Sequence, residues 1–497
     1  ATERHRDRCA VIAGGREWSY GEVRDAALRF AGTLLDLGIG PGDPVAIALM
    51  NSAEYLIADL GIAAVGAAKV PINLMLSDDE VSYILRDTGA SVVVVERHRL
   101  AAVADARSGG AEPATIVRGE PVDGELTWEA AVGGSVAETL PEVDPEHRAM
   151  IMYTGGTTGQ PKGVIHTQRG LTENLVTHLI EPEITAEDRL LATSPLPHSA
   201  GFLANTAFVR GATAYVEEKF DLDVLLDRIE RDRVSYLFMV PTMIYRLLDA
   251  VEAREHFDPS SLRTILYGAA PITVDRLEQG LRLFGPVFMQ LFGQSEAPNF
   301  LTRLRRDDHV HGVAPERLKS CGQSAVQARV RTVRDDGTDC APHEVGEVIG
   351  NAAFIMEGYL GREPETAAAL RDGWLYTGDL GYFDEAGYLY LVDRKKDMII
   401  TGGLNVYSSE VEQAMAGIPG VGQVAVTGIP HPNWGEAVVA FVVPSVEDLS
   451  EQRVKEAARA ILTGYKRPKE IVIVDAIPVT AVGKVDKKQL RKGWERW

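Results

Sequence analysis

The feature that most constrains the fold is a regular alternation between helix-start patterns and short apolar runs. Ser19 and Glu22 match a capping box, and apolar residues then recur at helical spacing until Gly38. We therefore predict a helix over residues 20–37. The next apolar run, residues 45–49, has the pattern of a buried strand. Such alternation is typical of α/β layers with largely parallel sheets.

The same alternation continues along most of the chain. A second capping-box pattern, Ser77 with Glu80, begins another helix before the β-branched run 92–95. An amphipathic pattern predicts a further helix at residues 221–231. Apolar runs predict further strands at residues 150–153, 236–239, 264–267 and 438–443. The fold class that we expect is α/β, with a large N-terminal domain of layered, mostly parallel sheets and helices.

A charged run at residues 393–397 separates two apolar strands. After it the chain has its own helix start, at Ser409 and Glu412, then a strand and a basic tail, which is enough for a small domain. We therefore predict two domains, residues 1–395 and 396–497, of which the second is a small α+β domain. An ordinary charged turn within one domain stays open as the alternative.

The charge balance argues against nucleic acid as a partner. The chain has 51 Lys and Arg against 71 Asp and Glu, a net charge of -20, whereas phosphate backbones require a basic surface. Cys9, Cys321 and Cys340 are too scattered for a disulfide framework, which suits a reducing cytosol. The sequence starts with charged residues, and its longest apolar stretch, 60–68, is far shorter than the about 20 residues of a bilayer span. We expect a soluble, cytoplasmic protein without secretory signal or integral membrane segment, while contact with a membrane surface stays open.

A glycine- and threonine-rich segment, TGGTTGQPKG at residues 154–163, follows an apolar strand. Glycines let the backbone approach a polyphosphate, threonine hydroxyls and N–H groups donate to its oxygens, and Lys162 supplies a positive charge. The spacing is not that of a Walker loop, because Pro161 and Gly163 stand where a glycine and a Ser or Thr would be. A kinase or P-loop ATPase is therefore disfavoured, and a flexible glycine-rich hairpin is the structural alternative.

Three other motif matches are weaker. GVGQVA at 420–425 has its glycines before an apolar strand instead of after it, so we interpret the segment as a turn. GQSEA at 293–297 resembles a hydrolase elbow around Ser295 but ends in alanine instead of glycine. HEVGE lacks the second histidine of a zinc-protease helix, and we interpret its His343 as a surface loop residue.

Five segments carry a family resemblance and occur in family order over nearly the whole chain: TGGTTGQPKG (154–163), YGAAPI (267–272), QLFGQSE (290–296), YTGDLGYFDEAGYLYLVDRKKDMIITGGLNVYSSEVE (376–412) and PVTAVGKVDKKQL (478–490). As a set they resemble the adenylate-forming superfamily of acyl-CoA synthetases, peptide-synthetase adenylation domains and luciferases. The resemblance implies an ATP-dependent carboxylic acid:CoA ligase, with a small β subdomain in the large domain and a mobile C-terminal domain. One departure is Gly155, where the family usually has serine, so that a hydroxyl is lost but the loop backbone is kept.

The resemblance also implies which residues bind ATP and Mg²⁺. The phosphates would be held by the loop residues Thr154, Gly155, Gly156, Thr157, Thr158, Gly159 and Lys162. Glu296 would bind Mg²⁺, for which a carboxylate beside phosphate oxygens is a hard ligand. Phe292 would stack on adenine, along the segments that contain Gly268, Ala269, Ala270, Gly293 and Gln294. Asp379 would accept hydrogen bonds from the ribose, and Arg394 would donate to ribose or phosphate. Without the resemblance, Phe292 is plain core and the charged residues are solvated.

Lys484 resembles the lysine that catalyses adenylation. Its ammonium would bridge the attacking carboxylate and the α-phosphate, where negative charge concentrates in the transition state. Together with Glu296 and Thr158 it forms the implied catalytic set, although a lone lysine in a basic tail is otherwise solvated. The C-terminal domain would swing about Lys396, because one arrangement cannot present both Lys484 and a thiol tunnel to the same reacting group.

Coenzyme A would enter through the segment that contains Gly402 and Gly403. Residues without side-chain bulk would let a pantetheine thiol reach the acyl adenylate there. Trp434 and Lys466 are weaker candidates for contact with the nucleotide end of coenzyme A.

The segment PLPHSAGF at 195–202 resembles the border of the family's acyl pocket. Amino-acid-activating relatives carry an aspartate where this chain has His198, so an α-amino acid is disfavoured. His198 would act as an aromatic gate, and a packed core histidine is the alternative. A mainly apolar pocket for a fatty, aromatic or alicyclic acid is implied by Phe202, Val240, Pro241, Thr242 and Gly268.

Three functions stay open at this point. The first is the CoA ligase, supported by the TGG sequence at 401–403 and by Lys484. The second is a stand-alone adenylating enzyme that loads a carrier-protein thiol. The third is a noncatalytic acyl-AMP-binding regulator, which the retained Glu296, Asp379 and Lys484 argue against. Whether the chain forms a homodimer also stays open.

Overall fold

The computed structural model describes residues 3–154, 161–312, 315–479 and 485–494. The chain divides into two compact units. The first consists of Ala1–Val330 and Gly350–Leu375, and the second of Arg331–Ile349 and Tyr376–Trp497. The predicted boundary between residues 395 and 396 stays a prediction. Within the described part of the chain, no helix is both long enough and apolar enough to cross a bilayer.

Strands and helices alternate along the first unit, in the order β1 (Cys9–Ala13), β2 (Arg16–Ser19), α1 (Tyr20–Asp36), β3 (Pro44–Ala48), α2 (Ala53–Ala64), β4 (Ala68–Pro71), α3 (Asp78–Thr88), β5 (Val92–Glu96), α4 (Leu100–Ser108), β6 (Ala114–Arg118), β7 (Leu126–Thr127), α5 (Trp128–Ala131), β8 (Arg148–Thr154), β9 (Lys162–Thr167), α6 (Gln168–Ile180), β10 (Arg189–Ala192), α7 (Gly201–Arg210), β11 (Thr213–Val216), α8 (Leu222–Glu230), β12 (Tyr236–Met239), α9 (Pro241–Glu252), β13 (Thr264–Tyr267), α10 (Val274–Phe284), β14 (Phe288–Gln294), β15 (Ala297–Leu304) and β16 (Gln323–Ser324).

The remaining strands and helices are, in chain order, β17 (Ala328–Val333), β18 (Gly346–Ala352), β19 (Gly358–Tyr359), α11 (Glu363–Ala369), β20 (Leu370–Arg371), β21 (Trp374–Phe383), β22 (Leu389–Arg394), β23 (Ile399–Thr401), β24 (Leu404–Val406), α12 (Ser408–Ala416), β25 (Val421–His431), β26 (Gly435–Pro444), α13 (Glu451–Ile461), β27 (Glu470–Ile473) and α14 (Lys487–Lys492). They include the longest strands of the described chain, β21, β25 and β26.

Two large sheets form the first unit. The nine-stranded sheet has the order β16-β15-β14-β13-β12-β10-β11-β1-β2, and the eight-stranded sheet has the order β19-β9-β8-β4-β3-β5-β6-β7. Adjacent strands are parallel from β14 to β1 in the first sheet and from β8 to β7 in the second. The other pairs, at the edges, are antiparallel. The prediction of layered, mostly parallel sheets is confirmed.

Three apolar clusters place helices on both faces of each sheet. The largest joins Phe30 of α1 and Tyr55 of α2 to Ile47 of one sheet and Tyr236 of the other. A second cluster packs α8, α9 and α10 on the nine-stranded sheet, and a third packs α3 and α4 on the eight-stranded sheet. Because both faces of each sheet are covered, strands such as β5 have continuous apolar sequences instead of alternating ones.

The predicted helix starts in this unit are confirmed as capping boxes. Ser19 Oγ accepts a hydrogen bond from Glu22 N at 3.1 Å, and Glu22 Oε2 accepts one from Ser19 N at 2.7 Å. Ser77 and Glu80 make the same reciprocal pair at the start of α3. The strands predicted at 236–239 and 264–267 are β12 and β13, with the same bounds.

The second unit has a smaller sheet of order β24-β23-β26-β25, to which β27 adds in parallel beside β26. Helices α12 and α13 cover it through Val411, Met415, Val454 and Ala458. A further five-stranded sheet has the order β17-β18-β21-β20, and its fifth strand, β22, pairs antiparallel with β21. This arrangement agrees with the predicted α+β character of the C-terminal domain.

The predicted helix start at Ser409 is confirmed within one residue, since α12 begins at Ser408, whereas the turn predicted at 420–425 was wrong. Ser409 and Glu412 do not form a capping box, because the N-terminus of α12 is bound by Asp393, whose Oδ2 accepts from Ser408 Oγ at 2.9 Å and from Ser409 N at 3.4 Å. Glu412 instead accepts from Val426 N at 2.7 Å. The segment 420–425 is a turn only at Gly420, where φ is +94°, since the residues after it belong to β25.

Candidate active site

The predicted phosphate segment begins and ends in paired strands. Thr154 is the last residue of β8 and lies opposite Lys162, the first residue of β9. The ammonium Nζ of Lys162 lies 4.2 Å from the centroid of the Tyr359 ring. The calls on Gly155, Gly156, Thr157, Thr158 and Gly159 lie outside the described residues, so their roles remain predictions. The described ends of the loop therefore place Thr154 and Lys162 at its base.

Glu296 lies in the turn of the antiparallel hairpin β14–β15. Its Oε1 accepts a hydrogen bond from the Tyr359 hydroxyl at 2.7 Å, and its backbone oxygen accepts one from Met356 N at 2.8 Å. The preceding residue, Ser295, is held through its backbone oxygen by His166 Nε2 at 2.8 Å. A hydrolase elbow requires a helix after the turn, and here a strand follows. Ser295 is therefore not on such an elbow, in agreement with the alanine that replaces the last glycine of the motif.

The segments predicted to border adenine leave the same edge of the nine-stranded sheet, because β13 and β14 are adjacent and parallel. A Cβ on Gly268 would lie 2.8 Å from the backbone oxygen of Leu291, so this position requires glycine. Ala269, with φ of +68°, and Ala270 are exposed beyond it. Phe292 is largely buried on β14, while Gly293 and Gln294 are half-buried. The structure thus brings these predicted residues together at one sheet edge.

The predicted gate, His198, is held by a residue that sequence reasoning missed. Asn73 Oδ1 accepts from Met75 N at 2.9 Å, which leaves its amide Nδ2 to donate to His198 Nε2 at 3.1 Å. Phe202, at the start of α7, stacks on His178 with ring centroids 5.6 Å apart. Val240 caps α9, which begins with Pro241, and Thr242 is exposed on that helix.

In the second unit, Asp379 and Arg394 lie opposite each other on β21 and β22. Arg394 Nε lies 3.0 Å from Asp379 Oδ1, and Asp379 is buried while the Arg394 side chain is half-exposed. A cleft beside this pair is lined by Thr377, Gly378, Arg394, Lys395 and Lys396. The predicted hinge residue Lys396 is exposed in a turn directly after β22.

The predicted entrance for coenzyme A is a two-residue hairpin turn between β23 and β24. Gly402 and Gly403 have φ of +58° and +80°, the left-handed pair that such a turn requires. Gly402 N donates to the backbone oxygen of Trp434 at 2.8 Å, and a Cβ on Gly402 would lie 3.2 Å from that indole ring. Lys469 Nζ lies 4.4 Å from the Trp434 ring centroid, whereas Lys466 Nζ donates to Glu410 at 2.5 Å. Lys484 lies outside the described residues.

The donor set near Glu296 fits Mg²⁺ held together with phosphates. Among the described residues, no group of three or more His, Cys, Asp and Glu side chains could hold a metal ion by itself. Mg²⁺ usually keeps several waters and binds one or two carboxylates together with substrate phosphates. Here Glu296 supplies one carboxylate, and Lys162 supplies a cation suited to phosphate. Tyr359 contacts both residues, and this arrangement matches that mode of Mg²⁺ binding.

Sequence reasoning missed Tyr359, Asn73 and His166, which hold the predicted residues in place. Each contacts its partner from a distant part of the chain, separated by 63, 125 and 129 residues. No local pattern signals such contacts. The strand pairing of β19 with β9 brings Tyr359 beside the described end of the phosphate segment.

The comparisons with known proteins agree with this geometry. A family model described as AMP-binding enzyme matches residues 1–360, and one described as AMP-binding enzyme C-terminal domain matches residues 410–484. A medium/long-chain-fatty-acid–CoA ligase from Mycobacterium tuberculosis is 34% identical over 100% of this chain and 89% of its own length. A feruloyl-CoA synthase from an Amycolatopsis species is 35% identical, over 97% and 95% of the two chains.

Solved structures resemble the whole chain as well. ATP-bound MatB from Rhodopseudomonas palustris has a TM-score of 0.89 at 28% identity, covering 98% of this chain and 95% of its own. The o-succinylbenzoate CoA synthetase MenE from Bacillus subtilis, in complex with its acyl-adenylate intermediate, has a TM-score of 0.87 at 28% identity, covering 99% and 97%.

Fold and site together define an adenylate-forming enzyme. The chain belongs to the AMP-binding enzyme family. The prediction of an ATP-dependent acyl-CoA ligase is confirmed. Such an acid–thiol ligase forms an acyl-AMP and then an acyl-CoA. Its cofactor is Mg²⁺, and its cosubstrates are ATP and coenzyme A.

Proposed function

We propose that this ligase activates a mainly apolar carboxylic acid, whether fatty, aromatic or alicyclic, and that the residues around His198 form the acyl pocket. The observation that carries the proposal is the hydrogen bond from Asn73 to His198, which stands where amino-acid-activating relatives have an aspartate. Phe202 and Val240 add apolar surface, while Pro241, Thr242 and Gly268 complete the set. The fatty-acid ligase and the feruloyl-CoA synthase described above support an apolar or aromatic acid.

The nucleotide roles are part of the same proposal. Thr154, Lys162 and the loop residues 155–159 bind the phosphates, and Glu296 binds Mg²⁺, which is supported by the contacts of Lys162 and Glu296 with Tyr359. Adenine lies along Gly268–Ala270 and Phe292–Gln294. The buried Asp379 accepts from the ribose, and Arg394, which orients that carboxylate, donates to ribose or phosphate. Coenzyme A is contacted by Gly402, Gly403, Trp434 and Lys466.

The reaction proceeds in two displacements. A carboxylate oxygen of the acid attacks the α-phosphorus, the bond to the β-phosphate breaks, and pyrophosphate leaves. The thiolate of coenzyme A then attacks the acyl carbon, and AMP leaves. Lys484 stabilises the charge of the first step, and the residues after Lys396 rotate between the two steps.

A substrate panel tests the acid. Acid-dependent exchange of pyrophosphate into ATP is expected with fatty, aromatic or alicyclic acids and not with α-amino acids, followed by thioester formation with coenzyme A. His198→Asp should lower exchange with apolar acids at least about tenfold, because it buries a charge beside them, whereas the matched His198→Phe keeps an aromatic ring. Exchange without a coenzyme A thioester would favour a carrier-protein acceptor, and no exchange with any acid would favour the acyl-AMP-binding regulator.

Lys484 is tested by separating the half-reactions. Lys484→Ala should abolish formation of the acyl-AMP while sparing thioester formation from supplied acyl-AMP, because its proposed role is to stabilise the charge that builds up when the carboxylate attacks the α-phosphorus. Equal loss in both steps would contradict the role of Lys484.

A homodimer and a cytoplasmic location complete the proposal, and light scattering at two protein concentrations tests the oligomeric state.

A further inference from the structure

The geometry points to Tyr359 as a positioning residue for nucleotide and metal binding, which holds Glu296 with its hydroxyl and Lys162 with its ring. The Tyr359 hydroxyl donates to Glu296 Oε1 at 2.7 Å, and Lys162 Nζ lies 4.2 Å from the ring centroid. One side chain therefore contacts an anion at its edge and a cation on its face. The inference goes beyond the proposed function, but it rests on the proposed role of Glu296.

The backbone around Tyr359 is fixed on both sides. Tyr359 lies opposite Val164 of β9, and its neighbour Leu360 donates from N to the Gly163 oxygen at 2.8 Å. Tyr359 N donates to Thr366 Oγ1 at 2.9 Å. Met356, in the same segment, binds the backbone oxygen of Glu296. The segment thus ties the strand that carries Lys162 to the turn that carries Glu296.

The hydrogen bond to Glu296 has a chemical consequence for Mg²⁺. Hydrogen bonds to a carboxylate are short and strong. Tyr359 engages Oε1, so it fixes the carboxylate and does not itself occupy Oε2, the oxygen that we assign to the ion. Partners of this kind, bound to a metal ligand and not to the metal, orient the ligand before the ion arrives.

The ring of Tyr359 has a separate role toward Lys162. The negative face of an aromatic ring attracts an ammonium group, and here it holds the Lys162 side chain at the base of the phosphate segment. The hydroxyl and the ring can therefore be tested separately, because phenylalanine retains the ring alone and leucine retains neither.

Calorimetry of ATP binding, with and without Mg²⁺, tests the inference without relying on activity. Tyr359→Phe should reduce the gain in ATP affinity that Mg²⁺ provides by about tenfold, as loss of such a partner does in metal sites. It should leave affinity for ATP without Mg²⁺ unchanged, because the ring still holds Lys162. Tyr359→Leu should lower both. The matched control is Tyr236→Phe, which removes a buried hydroxyl that donates to the Pro182 oxygen at 3.0 Å and should change neither.

The double variant Tyr359→Phe/Glu296→Gln separates a positioning role from a structural one. If Tyr359 acts through Glu296, adding Tyr359→Phe to Glu296→Gln should produce little further loss of the Mg²⁺ effect. Additive losses, or an unchanged Mg²⁺ effect in Tyr359→Phe while Glu296→Gln reduces it, would overturn the inference and leave the proposed function intact. An unchanged Mg²⁺ effect in Glu296→Gln would overturn the proposed role of Glu296 itself, and this inference with it. Both Tyr359 variants lack the hydroxyl, so an unchanged Mg²⁺ effect in either one that retains the wild-type unfolding midpoint would overturn the inference.

Discussion

At the scale of single residues, the tightest constraint beside the candidate site is the space around Gly268. Gly268→Ala would place a Cβ 2.8 Å from the backbone oxygen of Leu291, and a backbone atom cannot move aside as a flexible side chain can. We expect unfolding in urea to show a loss of about 1–3 kcal/mol. Gly134→Ala, where the added Cβ meets nothing within 4 Å, is the control and should change the free energy of unfolding by less than about 0.5 kcal/mol. Equal losses in the two variants would contradict this account.

A second prediction at the residue scale concerns the amide that holds His198. Asn73→Ala removes the donor to His198 Nε2, so the imidazole loses one of the contacts that orient it at the proposed acyl pocket. The loss of one such hydrogen bond corresponds to about 1 kcal/mol, so we expect the KM for the acid to rise about fivefold. The KM for ATP should not change, and steady-state kinetics with each substrate varied measures both. A matching rise in the KM for ATP would indicate that Asn73 supports the fold instead of the acyl pocket.

At the scale of secondary-structure elements, the start of α12 depends on a carboxylate from another strand. Asp393, on β22, accepts hydrogen bonds from Ser408 and Ser409 at the N-terminus of this helix, where a negative charge is favourable. Asp393→Ala should therefore cost about 1–2 kcal/mol of stability, measured by urea unfolding. Gln413→Ala, on the exposed side of the same helix, should be nearly neutral. A loss of similar size for both variants would contradict a specific role of the cap.

The same helix shows how far the sequence could predict elements. Caps formed by neighbouring residues, such as Ser19 with Glu22, were predictable because donor and acceptor lie three residues apart. The cap of α12 was not predictable, because its acceptor lies 15 residues upstream and approaches only when β22 and α12 pack together. The candidate site divides in the same way: the motifs indicated Glu296 and Lys162, whereas the Tyr359 that joins them depends on the pairing of two distant strands.

At the scale of the whole molecule, net charge and buried histidines predict opposite responses to acid. The chain carries a net charge of -20 at pH 7 and has a pI of about 5.1, so lowering the pH reduces its self-repulsion. Burial, however, lowers the pKa of His166, His178 and His309 to about 4 each, from an ordinary value of 6.5. The imidazoles are therefore neutral in the folded protein at pH values where the unfolded chain already binds their protons.

The histidines should decide the outcome between pH 6.5 and 4. Their contribution to stability is complete above pH 6.5 and is lost as the pH falls toward 4, by roughly 1.4 kcal/mol per pH unit for each histidine. We expect the free energy of unfolding in urea to fall steeply from pH 6.5 to 5. His309→Gln should be less stable at pH 7.5, because it disturbs the hydrogen bonds to Tyr267 and Arg305, but its decline with acid should be shallower by one histidine's share. The exposed His256→Gln should retain the full slope, and a stability that rises toward pH 5 would show that relief of charge repulsion dominates instead.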